Sequence, residues 1–263
     1  MSKGDAEVTC AIKGYVATIV FANPRQRGAL TPELLADLRR ILRDLELRFP
    51  NVRTVVLRGS GETFSSGFAL DRFPEPDELD LQDRIEELCR AIERSPLVVV
   101  ALLRGVAIGA ALDVAAACDF RFADQDCRLG ITPARLGILY SAQGTARIHR
   151  LVGPDAARRL FFTGDLMTAE EASRFGLVTE VGATPEDAER AAYALAVRIA
   201  DRAPLSVSGS KRMITAIEAA GGLSVADAAE LHDLRRSALR SPDCAEALTA
   251  FSEKRKPVFT GEE

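Results

Sequence analysis

The sequence is poor in the residues from which metal and redox sites are built. Its 263 residues hold only two histidines, His149 and His232, and five cysteines, Cys10, Cys89, Cys118, Cys127 and Cys244, with no CxxC pair. A structural zinc site is therefore not expected, and the scattered, odd-numbered cysteines read as reduced thiols of a cytoplasmic protein, most of them small core residues. Cys118 and Cys127 have no nearby histidine in sequence to activate them, and both histidines sit beside arginines in helical stretches, which suits a surface. There is no GxSxG nucleophile elbow. No uncharged apolar run approaches the roughly 20 residues that span a bilayer, and "MSKGDAEVTC" lacks the apolar core of a signal peptide. An excess of basic charge is absent too. Net charge is −4, so neither a nucleic acid nor an anionic membrane is expected as a partner, although local basic groups can still hold a phosphate.

One tempting motif is incomplete. Gly59-Ser60-Gly61 begins a dinucleotide fingerprint, but Phe64 stands where the third glycine belongs, and no ribose-binding acid follows in a strand context. What remains is a small-residue loop, Ser65-Ser66-Gly67. It is either a plain tight turn or a place where a ligand approaches backbone N–H groups.

What is present is enough apolar residue, 47%, with 27% charged, to bury a large core in one main domain. "VTCAI-KG-YVATIVF" predicts a hairpin turning at Lys13-Gly14. "TPELLADLRRILRDLELRF" predicts a helix capped by Thr31 with Pro32 in its first turn, and Leu34, Leu38, Ile41, Leu42 and Leu45 form its apolar stripe. "VRTVVLRG", "LVVVALL", "CDFRFA" and "GLVTEV" read as strands separated by helical material such as "LDLQDRIEELCRAIER". Alternating strands and helices imply right-handed crossovers and a largely parallel sheet, the α/β class. After "TPEDAERAAYALAVRIADRA" strand signals vanish and helix follows helix, broken at Ala203-Pro204, Gly221-Gly222 and Ser241-Pro242. That shift divides an α/β core, residues 1–195, from a helical region, residues 196–263.

"RGVAIGAALDVAAACDF" follows a buried strand with Gly105, then Gly109-Ala110-Ala111 opening a helix that carries one acid, Asp113, among alanines. The first N–H groups of a helix lack internal partners and carry the positive end of its dipole. Two such loops, this one and Ser65-Ser66-Gly67, can aim two amides at one oxygen. Such a pair stabilises negative charge developing on a carbonyl. For Asp113 three roles stay open: a catalytic acid whose pKa burial raises, a buried acid paired with an arginine such as Arg104, or simply an aspartate on the helix surface.

Six segments in order, "NPRQRGALTPELLADL", "VVLRGSGETFSSGFALDRF", "RGVAIGAALDVAAACDFRFA", "LGITPARLGILYSAQGTARIHRLVG", "FFTGDLMTAEEASRFGLVTEV" and "AFSEKRKPVF", resemble the crotonase superfamily, the enoyl-CoA hydratase/isomerase family, over nearly the whole chain. The resemblance implies a spiral of ββα units with a helical C-terminal trimerisation region, a homotrimer or dimer of trimers, and an acyl-CoA substrate whose coenzyme A moiety is the only cofactor. Carried over by position, the oxyanion amides are those of Phe68 and Ala110. Ala29, Ser66, Phe68, Ala69 and Leu70 lie along the CoA. Arg25 and Arg27 lie near its phosphates, helped by Lys254 or Lys256, the lysine coming from this chain or a neighbouring subunit.

This chain departs from the family's hydratases, which use two glutamates on a single water. Asp113 falls on the first position, about one methylene short, and a misplacement of about 1 Å can cost ~100-fold in rate. Ala134 falls on the second and cannot transfer a proton. Tyr140, in "LGILYS", is similar to the tyrosine of methylmalonyl-CoA decarboxylases of the superfamily, although Phe68 stands where those enzymes place a histidine. Hydration or isomerisation on Asp113 alone, decarboxylation of a malonyl-type thioester assisted by Tyr140, and a catalytically silent CoA-binding subunit stay open.

Overall fold

The computed structural model describes residues 6–68, 78–220 and 225–262. Its elements are β1 (Glu7–Lys13), β2 (Val16–Ala22), α1 (Pro32–Glu46), β3 (Thr54–Gly59), α2 (Glu78–Arg94), β4 (Val98–Leu103), β5 (Val106–Ile108), α3 (Ala110–Ala117), β6 (Phe120–Asp124), β7 (Arg128–Gly130), α4 (Ala142–Thr163), β8 (Met167–Thr168), α5 (Ala169–Arg174), β9 (Glu180–Gly182), α6 (Pro185–Ala200), α7 (Pro204–Ala220), α8 (Val225–Arg240) and α9 (Pro242–Glu253). Short 3₁₀ turns occupy Pro24–Gln26 and Pro133–Leu136.

Six strands form one sheet in the order β1-β2-β3-β4-β6-β9, antiparallel only between β1 and β2. A smaller sheet orders β5-β7-β8. Isolated bridges join Leu30 to Phe68 and Ser65 to Ala107. Each turn of the chain thus adds a main-sheet strand, then a short strand or bridging segment beside the previous one, then a helix. The sets β3–Ser65–α2 and β4–β5–α3 are two successive turns of this ββα spiral.

The central strand β4 is apolar throughout, and β3 carries an apolar run Val55–Leu57, because both faces of the sheet are covered there. Val55, Leu57, Val99, Ala101 and Leu103 face the core shared with α1, α2 and α3, while Val56, Val100, Leu102 and Phe122 pack under α6. On α6 the buried Ala188, Ala192, Ala196 and Ala200 recur every four residues, a narrow stripe that lets the helix lie close on the sheet. The Thr54 hydroxyl donates to Ala196 O at 3.3 Å, and Arg53 donates to Ala200 O at 2.9 Å and to Phe259 O at 2.8 Å. Residues 195 and 196, where the sequence divides core from helical region, lie inside α6.

Local signals match the elements they predicted. The Thr31 side chain accepts from Leu34 N at 3.3 Å with Pro32 at the first helical position. α4 is broken at Gly153 (φ 74°, ψ 174°), just before Pro154. Helices α7, α8 and α9 follow as the sequence anticipated, and no helix of the described residues is long and apolar enough to cross a membrane.

Candidate active site

The two small-residue loops run side by side. Ser65 N donates to Val106 O at 3.0 Å, and Ile108 N donates to Ser65 O at 3.3 Å, which carries the parallel pairing out beyond β3 and β4. Gly67 then turns at φ +91°. A methyl group there would lie 2.6 Å from Ile108 O and 3.8 Å from Ala110 N, so only glycine allows the approach. Leu30 N donates to Gly67 O at 2.8 Å, and Gly109 N donates to Gly130 O at 2.8 Å, which fixes both turns. The next N–H in each loop, of Phe68 and of Ala110, donates to no acceptor among the described residues. Ala110 opens α3, so its N–H is also one of the orphan donors of a helix start.

Both residues line a cleft of about 740 Å³, counting its mouth open to solvent. α2 contributes Ile85 and Glu86 to its walls, and the segment before α4 contributes Thr132, Leu136, Leu139 and Tyr140. Asp113, on the first turn of α3, also lines it but is only 2% exposed. Its partner is Arg147 of α4, not Arg104: Arg147 Nη1 donates to Asp113 Oδ1 at 2.5 Å. The same guanidinium donates to Glu93 Oε1 at 2.7 Å and to Glu86 Oε2 at 3.2 Å, so one arginine gathers three carboxylates. Burial pushes the Asp113 carboxyl above its usual range, Arg147 pulls it back, and Glu86 and Glu93 push it up again. Burial works against the Arg147 charge as well, but the surrounding acids outweigh it and hold that group protonated.

Tyr140 lies beside Asp113. Its hydroxyl donates to Gly109 O at 3.1 Å, and its ring meets Phe161 edge-on at 5.5 Å. Burial, then the Asp113 charge, raises the phenol well above its ordinary pKa, so it stays a donor. Gly144 abuts both groups: a methyl there would lie 2.5 Å from Asp113 Oδ2 and 2.5 Å from Tyr140 Cε1.

Ser66 lines the cleft, donates its N–H to Arg27 O and its hydroxyl to Gln26 O, both at 3.1 Å. The turn carrying the exposed Arg25 and Arg27 is thereby tied to the cleft's edge. Ala29 is buried, with its N–H donating to Gln26 O and its carbonyl accepting from Asn23 Nδ2 at 2.9 Å. Ala69 and Leu70 lie outside the described residues. Lys254 caps α9 away from the cleft lining, and Lys256 pairs with Asp201 at 2.6 Å. Ala134 is exposed on the turn Pro133–Leu136, with its neighbour Pro133 at the cleft. His149 and His232 are exposed, and burial raises Cys118 and Cys127 to about 12, far from a reactive thiolate. Arg147, Glu86 and Glu93 were not anticipated. Their one sequence signal is an arginine on the buried face of α4 beside Gly144, Ile148 and Val152.

A family model described as enoyl-CoA hydratase/isomerase matches residues 11–262. The chain belongs to the enoyl-CoA hydratase/isomerase family. The relatives differ in their stated reactions. An enoyl-CoA isomerase/hydratase of Mycosarcoma maydis is 32% identical over 257 residues, 92% of each chain. A methylmalonyl-CoA decarboxylase of Escherichia coli is 28% identical over 250 residues, 94% of this chain and 95% of that one. Among solved structures, an enoyl-CoA hydratase of Bacillus anthracis superposes with a TM-score of 0.87 at 30% identity, covering 97% of this chain and 99% of that one. The ββα spiral described above is thus the fold this family shares.

Proposed function

We propose that this member of the family grips the carbonyl of an acyl-CoA thioester between the Phe68 and Ala110 N–H groups and stabilises the enolate formed beside it. The observation that supports the reading is that two amide donors, both without acceptors among the described residues, belong to adjacent loops that line one cleft. When a proton or carbon dioxide leaves the α-carbon, the electron pair it leaves behind moves into the thioester carbonyl. Two fixed donors then stabilise the oxygen more in the transition state than in the ground state, which is where catalysis gains. The exposed Arg25 and Arg27, on the turn bound to Ser66, suit the CoA phosphates, with Lys254 of a neighbouring subunit as a third cation. No cofactor beyond the CoA moiety enters this chemistry.

Ordinary hydration by two carboxylates does not fit, because Ala134 has no proton to give and Asp113 is held by Arg147. Hydration or isomerisation would rest on Asp113 alone. A second reading, decarboxylation of a malonyl-type thioester, needs no second acid: the C–CO₂ bond breaks, its electron pair enters the carbonyl, and solvent or an acid protonates the α-carbon. Tyr140 in the cleft and the decarboxylase among the relatives favour it. Exposed Leu248, Phe251 and Val258 near the C-terminus support an assembly through that region, a trimer or dimer of trimers.

The test is incubation with crotonyl-CoA, a 3-enoyl-CoA and methylmalonyl-CoA while ultraviolet absorbance and CO₂ release are followed. CO₂ release without change in the enoyl chromophore ends the hydratase reading. Binding of CoA esters with no turnover of any of the three identifies a silent CoA-binding subunit instead. Asp113→Asn slowing hydration or isomerisation, but not decarboxylation, assigns its carboxylate to the first pair of reactions.

A further inference from the structure

Gly109 O and Ala110 N belong to one peptide unit, and the two ends of that unit face different partners. The carbonyl accepts from the Tyr140 hydroxyl at 3.1 Å and from Asp113 N at 3.1 Å. The N–H has no acceptor among the described residues and borders the cleft. A peptide is planar and conjugated, so fixing its oxygen fixes its N–H, and a hydrogen bond donated to the oxygen draws electron density from the nitrogen. Gly109 sits at φ 57°, ψ −122°, a conformation open to glycine, and the orientation of the following peptide is held by these two bonds to its oxygen.

We propose that Tyr140 is a positioning residue for the oxyanion hole: it orients and polarises the Gly109–Ala110 peptide through Gly109 O, so that the Ala110 N–H donates more strongly to the thioester oxygen. The inference rests on the oxyanion reading above and goes beyond it. Tyr140 is placed for this work by its own surroundings. Ser141 caps α4, accepting from Gly144 N at 3.0 Å and from the Thr145 hydroxyl at 2.8 Å, which anchors the chain beside the tyrosine. The ring is wedged between Gly144 and the edge of Phe161. Its hydroxyl thus meets the Gly109 carbonyl with little rotational freedom, and no proton leaves the phenol during the reaction.

Loss of a whole oxyanion donor costs about 10²–10³-fold in kcat. A cooperative contribution of about 10–30% of that free energy corresponds to a roughly 2- to 8-fold fall. Tyr140→Phe keeps the ring and removes only the donor, so kcat falls by that factor while KM barely moves. The discriminating readout is the infrared carbonyl stretch of butyryl-CoA labelled with carbon-13 at the thioester, a ligand with neither a double bond nor an α-carboxylate to be turned over. Bound to the unaltered enzyme its frequency drops, and bound to Tyr140→Phe it drops less. Replacing Tyr140 by 3-fluorotyrosine, a stronger donor of nearly the same shape, deepens the drop and keeps the idea testable should the phenylalanine variant fold poorly. Equal drops in all three proteins overturn the role of Tyr140 and leave the oxyanion hole standing. No drop even in the unaltered enzyme overturns the oxyanion reading itself. An effect of Tyr140→Phe confined to methylmalonyl-CoA means that the hydroxyl serves the substrate carboxylate, and this also overturns the inference.

Discussion

Replacing Arg147 with methionine removes a cation that three carboxylates share while roughly keeping its volume. The Arg147 side chain is 4% exposed and that of Asp113 is 3%, so this contact is out of water. Glu86 and Glu93 are 13% and 22% exposed and can turn outward, so the penalty concentrates on Asp113. Removing one partner of a buried pair costs about 3–5 kcal/mol, because the other charge is left without compensation. At about 2–4 °C per kcal/mol for a chain of this size, Tm falls by about 6–20 °C in a thermal melt followed by circular dichroism. The loss has a pH dependence of definite sign. Asp113 already has its folded pKa raised, by burial first, and without Arg147 to pull it back that pKa rises further. A carboxyl of this kind contributes stability that is present below its unfolded pKa of about 3.9 and lost as pH rises through the folded value. The deficit of Arg147→Met relative to the unaltered protein is therefore smallest toward the unfolded pKa of about 3.9 and grows as pH rises above it. Adding Asp113→Asn to the variant recovers part of the loss at the higher pH. A Tm drop below about 3 °C, or a deficit that grows as pH falls, would refute the reasoning.

Three further perturbations probe the cleft. Gly67→Ala adds a methyl 2.6 Å from Ile108 O at a φ of +91°, which pushes the two loops apart; kcat falls ~100-fold or more while circular dichroism shows a folded protein, and unchanged turnover contradicts the loop geometry. Gly144→Ala presses on Asp113 Oδ2 and Tyr140 Cε1 at 2.5 Å each, so the overpacking cost of about 1–3 kcal/mol exceeds the gain in helix propensity of ~1 kcal/mol, and Tm falls; a rise in Tm contradicts this. Arg27→Ala raises KM for an acyl-CoA by roughly 3- to 10-fold, and that difference shrinks at high salt and vanishes for the matching acyl-pantetheine, which lacks the nucleotide phosphates; an equal effect on both substrates removes Arg27 from the phosphate site.

Much of this architecture was legible because it rests on local rules. The Thr31–Pro32 start, the Lys13-Gly14 turn and the apolar runs within β3 and along β4 each declare themselves within a few residues. The short members of the second sheet did not. β5 and β7 have three residues and β8 two, too few for any period to show, and yet β5 leads directly to the Ala110 amide. α6 was legible as a helix but not as a cover for the sheet, because an alanine stripe fits a helix pair as well as a sheet face. At the site, Phe68, Ala110, Asp113 and Tyr140 do meet in one cleft, and the sequence had placed them there through their loops and the family resemblance. The partner of Asp113 was missed because it lies 34 residues away on a separate helix, where only tertiary packing brings the two together. The contact of Tyr140 with Gly109 O, 31 residues distant, escaped for the same reason.

The most direct measurement is a crystal structure of this protein with a non-hydrolysable acyl-CoA analogue bound in the cleft. The account predicts the thioester oxygen at about 2.7–3.1 Å from both Phe68 N and Ala110 N, with the Tyr140 hydroxyl still on Gly109 O. An oxygen more than about 3.5 Å from either nitrogen, or a carbonyl held by side chains instead, would contradict it.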